Sequence, residues 1–518
     1  MKRDRLCVIG LLLGAIALYT INLGNVALRD WDEAIVAGVA RNIWQDFPHS
    51  DTWLHPTIDY DRPYWNKPPL VHWLVAFSYS LFGVSEWSTR LFPALLSAIC
   101  VPLVYLIGRE IFSSRIPALL SALVYLTLLP VVRHCRLAML DGAITCWFCL
   151  AIWCLLRGSR DRRWLLGTGL SIGLICLTKG IMMGVLLGGI IVIFLLWHSP
   201  KILLSKYFWT GSILGIIPAI AWYLFQYLHY GRNFLNISLG QQTFNRVWEP
   251  ISNVSGPPWY YLLEIAKYSL PWLIFLPWGV WLALKNRHLS WGKLVLTWSG
   301  VYLVAISVMV TKLPWYVMPI YPGLSLITGA SLAIAVTTKQ YLLTWKVGLT
   351  AIATISIIAG IYLIINGQLK LDLSLIVAIV AVSFALASLL MWLDSFYCIP
   401  TLITGFYLAL LLLFHSHHWL WELNEEFPVR AISQVIKQHI PPQQEIYTAY
   451  PNLRPSLNFY SNRLVIPADD DKLKQTWQQN KPAYLLLDTQ AIERLDLKAY
   501  VTLGDRPNDV TWQLITNQ

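Results

Sequence analysis

The sequence predicts a polytopic α-helical membrane protein with about 13 transmembrane helices, extracytoplasmic juxtamembrane helices and a small C-terminal soluble α/β domain. Of its 518 residues, 56% are hydrophobic and only 13% are charged, whereas soluble domains carry about 25% charged residues. Apolar runs of about 20 residues, the length that crosses a bilayer, recur as far as residue 415. Beyond that point the composition becomes polar and mixed.

Thirteen apolar runs are predicted to span the membrane. They lie near residues 6–24, 88–108, 116–133, 141–157, 164–180, 181–198, 207–228, 269–284, 294–311, 315–336, 346–366, 373–393 and 398–415. A shorter run at 70–83 is predicted to lie at the membrane surface, because counting it as a span would turn the basic loop 157–163 outward.

Loop charges predict the orientation in the membrane. With a cytoplasmic N-terminus, the inner loops carry 16 Lys or Arg residues and the short outer loops carry five. Positive charge favours the cytoplasmic side, so the first loop and the C-terminal domain are expected outside. The same pattern accounts for the formal net charge of +11, which therefore does not indicate a nucleic-acid partner.

The predicted domains are a membrane domain at 1–415 and an extracytoplasmic α/β domain at 416–518. Two long outer loops, 25–87 and 229–268, belong to the first. In the second, the pattern favours a helix at Val429–His439 and a strand at Tyr484–Leu487. Cys146 and Cys149 have a C-x-x-C spacing but lie within a predicted span, where small packing residues are the expected interpretation.

The first outer loop holds an unusual group of charges. Asp32 and Glu33 open a predicted amphipathic helix, and Asp30 with Glu33 fits a helix-capping pattern, so capping is an alternative to function for those two. Lys67 precedes Pro68 and Pro69, where a second helix is expected to begin. An ammonium at a helix N-terminus favours an anion.

Other charges fall at the outer ends of predicted spans, where an ionisable residue is a functional candidate. Asp141 could instead cap its helix, and Lys179 and Lys312 could instead extend to the lipid headgroups. With Arg136 and Arg246, these residues predict a site for a lipid phosphate beside a carboxylate. Glycosyl transfer from a lipid-linked donor needs cations for the leaving phosphate and a base for the acceptor hydroxyl.

Six motifs in order carry a resemblance to a known family. They are Asp32-Glu33, Asn66-Lys67-Pro68-Pro69-Leu70, Arg136 to Asp141, Leu177-Thr178-Lys179-Gly180, Arg246 ahead of Pro258-Trp259-Tyr260-Tyr261, and Lys312-Leu313-Pro314-Trp315-Tyr316 with Pro319 and Pro322. The chain resembles the GT-C class of membrane glycosyltransferases, in the group that contains protein O-mannosyltransferases and the bacterial aminoarabinose transferases that modify lipid A.

The resemblance implies an inverting, single-displacement transfer from an undecaprenyl- or dolichyl-phosphate sugar. It implies that Asp32 activates the acceptor, that Lys67 and Arg246 bind the donor phosphate, and that Asp141 lies near Asp32. We count Asp32 and Asp141 as the expected catalytic residues. The expected substrate-binding residues are Lys67 and Arg246 together with Glu33, Arg136, Lys179, Lys312 and Tyr316.

Two departures from the family pattern bear on cofactor and substrate. The aminoarabinose transferases usually have Glu before Lys-Pro-Pro, linked to a metal, where this chain has Asn66, so the sequence predicts no certain metal ligand or cofactor. They also have Arg-Tyr where this chain has Ile35 and Val36. The resemblance therefore does not identify aminoarabinose as the sugar or lipid A as the acceptor.

The resemblance places the protein in the bacterial inner membrane, with a polyprenyl-phosphate-linked sugar, a lipid or protein acceptor and membrane lipids as partners. A transporter or flippase for a lipid-linked substrate is the alternative. Transporters usually place polar sites near the midplane in repeated halves, whereas these charges cluster at one face and no repeat is evident. A scaffold that binds partners through its C-terminal domain would leave the outer cations unexplained.

Overall fold

The computed structural model describes residues 2–30, 32–59, 61–249, 255–366, 371–420, 429–479, 482–497, 500–504 and 512–517. The α-helices, in chain order, are α1 (Lys2–Thr20), α2 (Asp32–Asp46), α3 (Leu70–Phe82), α4 (Glu86–Ile111), α5 (Arg115–Leu126), α6 (Leu129–Cys135), α7 (Leu140–Arg157), α8 (Leu165–Lys179), α9 (Ile181–His198), α10 (Lys206–Tyr230), α11 (Arg232–Leu235), α12 (Asn245–Trp248), α13 (Tyr260–Tyr268), α14 (Leu276–Lys285), α15 (Ser290–Val308), α16 (Tyr321–Thr338), α17 (Leu343–Ile365), α18 (Leu371–Trp392), α19 (Cys398–His415), α20 (Val429–His439), α21 (Pro455–Ser461), α22 (Asp470–Trp477) and α23 (Thr489–Leu495).

Shorter elements connect these helices. A π-helix lies at Asn236–Phe244, and 3₁₀ helices lie at Arg162–Trp164, Pro200–Leu204, Trp272–Ile274, Pro314–Ile320 and His418–Leu420. The strands are β1 (Thr57–Ile58), β2 (Arg62–Pro63), β3 (Ile446–Thr448), β4 (Val465–Pro467), β5 (Tyr484–Asp488), β6 (Val501–Thr502) and β7 (Trp512–Thr516).

The chain divides into two compact units. Unit 1 comprises Met1–Leu23, Trp65–Val71 and Arg90–Trp419, and unit 2 comprises Gly24–Tyr64, His72–Thr89 and Leu420–Gln518. The division groups most of the first long loop with the C-terminal segment, although the composition of the sequence shifts only after residue 415. The predicted boundary at 415 stays a prediction.

Unit 1 contains the helices that can cross a membrane. Among the described residues, nine helices are long and apolar enough, or ten if α5 and α6, bent by 61° across a short break, form one span. A helix lies within every run that the sequence assigns to a span. The helices in the runs 6–24, 164–180 and 269–284 are too short or too highly charged to be counted among the nine. The polytopic helical class is confirmed, and the count of thirteen stays a prediction.

Close glycine contacts hold α8 against α10. Gly169 and Gly173 lie one turn apart on α8, and Gly211 and Gly215 lie one turn apart on α10. A Cβ added at Gly173 would overlap the backbone of Gly215, and one added at Gly169 would overlap the backbone at Ser212. Pairs of small residues four apart let membrane helices approach closely, so van der Waals packing of bare backbone stabilises this crossing.

Unit 2 contains a five-stranded sheet in the order β4-β3-β5-β7-β6. The pairs β3–β4 and β3–β5 are parallel, and the pairs that β7 forms with β5 and β6 are antiparallel. Alternate residues of β5 serve two cores: Leu486 packs in one with α20, while Leu485 and Leu487 pack in the other with α23, as the two-residue period of a strand requires. The helix predicted at Val429–His439 and the predicted strand from Tyr484 are both present.

The first loop contributes α2 to unit 2. The sequence predicts that α2 lies flat on the membrane with one apolar face. In the structure Ala37 packs with Leu28 and with Phe459 of α21, and Arg41 donates a 2.7 Å hydrogen bond to the Phe459 carbonyl. Protein therefore covers this part of the helix, because α21 supplies an apolar partner that is far away in sequence.

We predict that Gly173→Ala destabilises the protein by about 1–3 kcal/mol, because the added methyl group forces the backbones of α8 and α10 apart. The thermal denaturation midpoint in detergent would measure the loss. Gly189→Ala on α9 is the matched control, since a Cβ there meets nothing within 4 Å among the described residues. Equal midpoints for the two variants would contradict the close packing of α8 against α10.

Candidate active site

A buried ion pair joins two predicted site residues of unit 1. Asp141 lies in the first turn of α7, Lys179 ends α8, and the Lys179 Nζ lies 2.6 Å from the Asp141 Oδ1. The side chains are 5% and 10% exposed. Each charge lies at the helix end whose dipole favours it. The N-cap position of α7 belongs to Met139, so Asp141 does not cap the helix as the alternative interpretation held.

Tyr316 contacts Lys179 and a second predicted cation. The Lys179 Nζ lies 4.9 Å from the centre of the Tyr316 ring, at a distance where a cation–π interaction is favourable. Arg246 donates a 2.9 Å hydrogen bond from Nη1 to the Tyr316 hydroxyl. Tyr302 fixes the backbone beneath, because its hydroxyl donates a 2.9 Å bond to the Tyr316 carbonyl. Asp141, Lys179, Tyr316 and Arg246 therefore form one connected cluster.

Arg246 reaches this cluster from the second long loop. It lies in α12, directly after the π-helix, an element often found at functional sites. Its Nη2 donates to the Gln242 side chain, one turn earlier. Its Nε is buried and meets no acceptor within the described part of the chain. The guanidinium is thus held through one N–H on each of two nitrogens, and three of its five N–H groups take no part in these contacts.

The structure gives Lys312 a role other than the predicted binding of substrate. Its Nζ donates to the carbonyls of Ile306, Ser307 and Met309 at 3.1, 2.7 and 2.5 Å. These acceptors lie at the C-terminus of α15, which lacks intrahelical donors. Since three carbonyls take the three N–H groups, the ammonium caps the helix, and this geometry argues against a contact with donor phosphate.

Arg136 likewise serves helix ends, although the sequence places it among the substrate-binding residues. Its guanidinium donates to the carbonyl of Ile21, just beyond α1, and to that of Phe414 in the last turn of α19. It also lies 4.8 Å from the centre of the Phe414 ring. A buried guanidinium at two helix C-termini is favoured by both dipoles, so these contacts explain Arg136 without a substrate.

The carboxylates of the first loop belong to unit 2. Asp30 forms a 3.0 Å ion pair with Arg454 and accepts from the backbone N–H of Ser456 at 2.9 Å. Glu33 is 1% exposed and accepts from the Arg29 N–H at 3.0 Å. Asp30 thus joins the first loop to the segment around α21, whereas Glu33 binds the backbone four residues before it. Its enclosure and this local contact favour a structural role for Glu33 over the predicted substrate contact.

Asp32 and Lys67 are both half-buried. Asp32 lies in the first turn of α2 and is half-buried, while Asp30 and Glu33 are buried. Lys67 is half-buried in a bend three residues before α3, which begins at Leu70 as the paired prolines predict. Their predicted roles with acceptor and donor stay predictions.

Sequence reasoning missed Gln242 and Tyr302. Gln242 precedes Arg246 by four residues, a spacing that brings two side chains together on a helix, so a helical prediction for this loop could have found it. Tyr302 lies inside a predicted span where nothing distinguishes it from other aromatic residues. Only the fold brings its hydroxyl to the Tyr316 carbonyl.

Residues 66–225 match the family of dolichyl-phosphate-mannose-protein mannosyltransferases. This range contains Lys67, Arg136, Asp141 and Lys179. A protein of Aquifex aeolicus without assigned function is 28% identical over 92% of this chain and 89% of its own length. An undecaprenyl phosphate-α-4-amino-4-deoxy-L-arabinose arabinosyl transferase of Pseudomonas fluorescens is 28% identical over 52% of this chain. The match spans only 50% of that relative's length.

The fold agrees with a solved structure over almost the whole chain. ArnT from Cupriavidus metallidurans, bound to undecaprenyl phosphate, superposes with a TM-score of 0.81 over 99% of this chain and 98% of its own, at 19% identity. The chain therefore has the fold of this solved structure. The match to the mannosyltransferase family includes α7 and α8, which carry the Asp141–Lys179 pair.

The residue before Lys67 bears on the metal that the family resemblance suggests. Asn66 is half-buried and offers a neutral amide, whereas divalent cations are held chiefly by carboxylates with supporting carbonyls. The position does not supply the expected ligand.

We predict that Lys312→Met lowers the unfolding free energy by about 2 kcal/mol or more, because three carbonyls lose a charged donor. Thermal denaturation would measure the loss, with the exposed Lys201→Met as control. In the folded fraction, KM for a lipid-linked sugar should equal that of the unsubstituted protein. A tenfold rise in KM at unchanged stability would show instead that Lys312 binds the donor.

Proposed function

We propose that this protein is an inverting glycosyltransferase that moves a sugar from a polyprenyl-phosphate donor to a lipid or protein acceptor at the outer face of the membrane. The observation that carries the proposal is the cluster in which Tyr316 contacts both Lys179 and Arg246, with Asp141 paired to Lys179. Arg246 is half-buried and the other three side chains are 10% exposed or less. We also propose that residues 1–415 form the membrane domain and 416–518 an extracytoplasmic domain, with the N-terminus in the cytoplasm.

The donor chemistry fits the composition of the cluster. When the bond between the sugar and its phosphate breaks, the electron pair moves to the phosphate oxygen, where negative charge increases. Cations that are already positioned in a dry site stabilise that charge without reorganisation. Arg246 suits this role because its planar guanidinium can bind phosphate through two N–H groups, and the second long loop holds it in place.

Asp141 acts in this proposal as a positioning residue for Lys179. A charge buried without a partner is costly, and the adjacent carboxylate compensates the ammonium of Lys179. The 2.6 Å distance also fixes the Lys179 amine over the Tyr316 ring. A carboxylate bound so closely to an ammonium is a poor general base, and this favours positioning over the catalytic role that the sequence predicts for Asp141.

The proposed base is Asp32, from the family resemblance. It would accept the proton of the acceptor hydroxyl as the acceptor oxygen bonds to the anomeric carbon. The new bond forms on the face opposite the departing phosphate, so the configuration inverts. Its partial exposure on α2 is compatible with contact to an acceptor, whereas the neighbouring Glu33 is enclosed.

We predict that Arg246→Gln raises KM for the donor roughly 10- to 100-fold, because a charge-assisted hydrogen bond contributes about 1.5–3 kcal/mol. The assay is transfer of labelled sugar from polyprenyl phosphate by protein in lipid nanodiscs. Arg232→Gln is the matched control, an exposed arginine of the same loop. If the two variants have the same KM, Arg246 does not bind the donor.

We predict that Asp32→Asn lowers kcat at least about 100-fold, as expected for loss of a general base, while the protein stays folded and loses about 1 kcal/mol of stability or less, the size of one helix-dipole interaction. The same assay measures the rate. A rate equal to that of the unsubstituted protein would remove Asp32 from the chemistry.

The transporter alternative has its own outcome in proteoliposomes. A labelled polyprenyl-phosphate sugar would then cross the bilayer without a new glycosidic product. Under the proposed function, released polyprenyl phosphate and glycosylated acceptor appear in equal amounts.

A further inference from the structure

Four polar side chains of unit 1 line one small buried cavity. They belong to Ser269, Trp272, Tyr321 and Ser325, and each is between 0% and 4% exposed. Within the described ranges of the chain, the indole N–H and the Ser325 hydroxyl have no hydrogen-bond partner. The Ser269 and Tyr321 hydroxyls lie near each other but lack a hydrogen bond of good geometry. The cavity measures about 10 Å³. Buried polar groups in proteins almost always have a partner, so four such groups around one cavity require an explanation.

Three chain segments that are distant in sequence form the walls. Val124 and Leu128 come from the end of α5 and the residues after it, the serine–tryptophan pair comes from the turn around Trp272–Ile274, and Tyr321 begins α16. Apart from the four polar side chains and Thr328, the walls are apolar. Thr328 already donates a 2.9 Å bond to the Leu324 carbonyl.

The size and chemistry of the cavity identify the ligand. A volume of about 10 Å³ admits one water molecule and nothing larger. The indole N–H of Trp272 only donates, which disfavours a cation and requires an acceptor. Each hydroxyl can donate or accept. A water molecule accepts two hydrogen bonds and donates two, so a single water can satisfy all four groups.

We propose that this cavity is a binding site for one structural water molecule, which joins the first turn of α16 to the turn at Trp272. The Pro314–Ile320 segment, which carries Tyr316, leads directly into α16. Trp298 holds the same segment through a 2.7 Å bond to the Pro319 carbonyl. The water adds a polar anchor at the point where this segment becomes helical.

Radiolytic labelling in ¹⁸O water tests the site directly on the full-length protein. Hydroxyl radicals formed from a bound water modify the side chains beside it, even where bulk solvent does not reach. We expect oxidation of Tyr321, and none at Phe148, which is equally buried and packs edge-on against Trp298. An unlabelled Tyr321 would overturn the proposal.

A pair of substitutions at Ser325 gives an independent test. Ser325→Ala removes one partner and keeps the water, whereas Ser325→Val also fills the cavity and expels it. If the site is hydrated, three polar groups lose their partner in the valine variant alone, and its denaturation midpoint falls below that of the alanine variant by about 2 °C or more. In a dry cavity the added methyl groups would improve packing, so a higher midpoint for the valine variant would refute the bound water.

Discussion

The structure depends on how an apolar protein accommodates ionised side chains away from water. A charge transferred from water into a medium of low dielectric constant loses several kcal/mol of solvation, so it needs a counter-charge or several hydrogen bonds. The buried cations of unit 1 use both solutions. Lys179 has the carboxylate of Asp141, while Lys312 and Arg136 have the carbonyl groups at helix ends. Each solution also fixes the geometry of the segments that supply the partners.

The two solutions explain which predicted site residues come together. The sequence predicts Asp141 and Lys179 as site residues from their positions at the outer ends of spans, Arg246 from the second long loop and Tyr316 from the family resemblance. The structure connects all four. Lys312 has the same position at a span end as Lys179, yet it binds the C-terminus of α15. A cation a few residues beyond a helix can bind either the carbonyl groups at the helix end or a ligand. The two cases look the same in the sequence. The choice depends on backbone direction, which the sequence pattern does not reveal.

The sequence predicts the membrane helices of unit 1 more completely than it predicts which segments make up unit 2. Long apolar runs specify membrane helices locally, and each of those runs contains a helix. The packing of α8 on α10 was missed, although glycines four residues apart on both helices are visible in the sequence as a signal for close approach. The assignment of α2 to unit 2 could not be found locally. It depends on contacts such as that between Asp30 and Arg454, which are separated by more than four hundred residues.

The charge balance of the cluster gives a physical reason for it to bind an anion. Lys179 and Arg246 both contact Tyr316, and like charges this close repel each other unless they are neutralised. Asp141 offsets the first cation, while the groups that contact the second, Gln242 and the Tyr316 hydroxyl, are neutral. The cluster therefore carries one positive charge beyond what its own members balance. A phosphate monoanion or dianion at Arg246 would neutralise that charge, and its negative charge grows as the sugar departs, so the interaction strengthens toward the transition state. This difference between ground state and transition state is what a catalytic cation must provide.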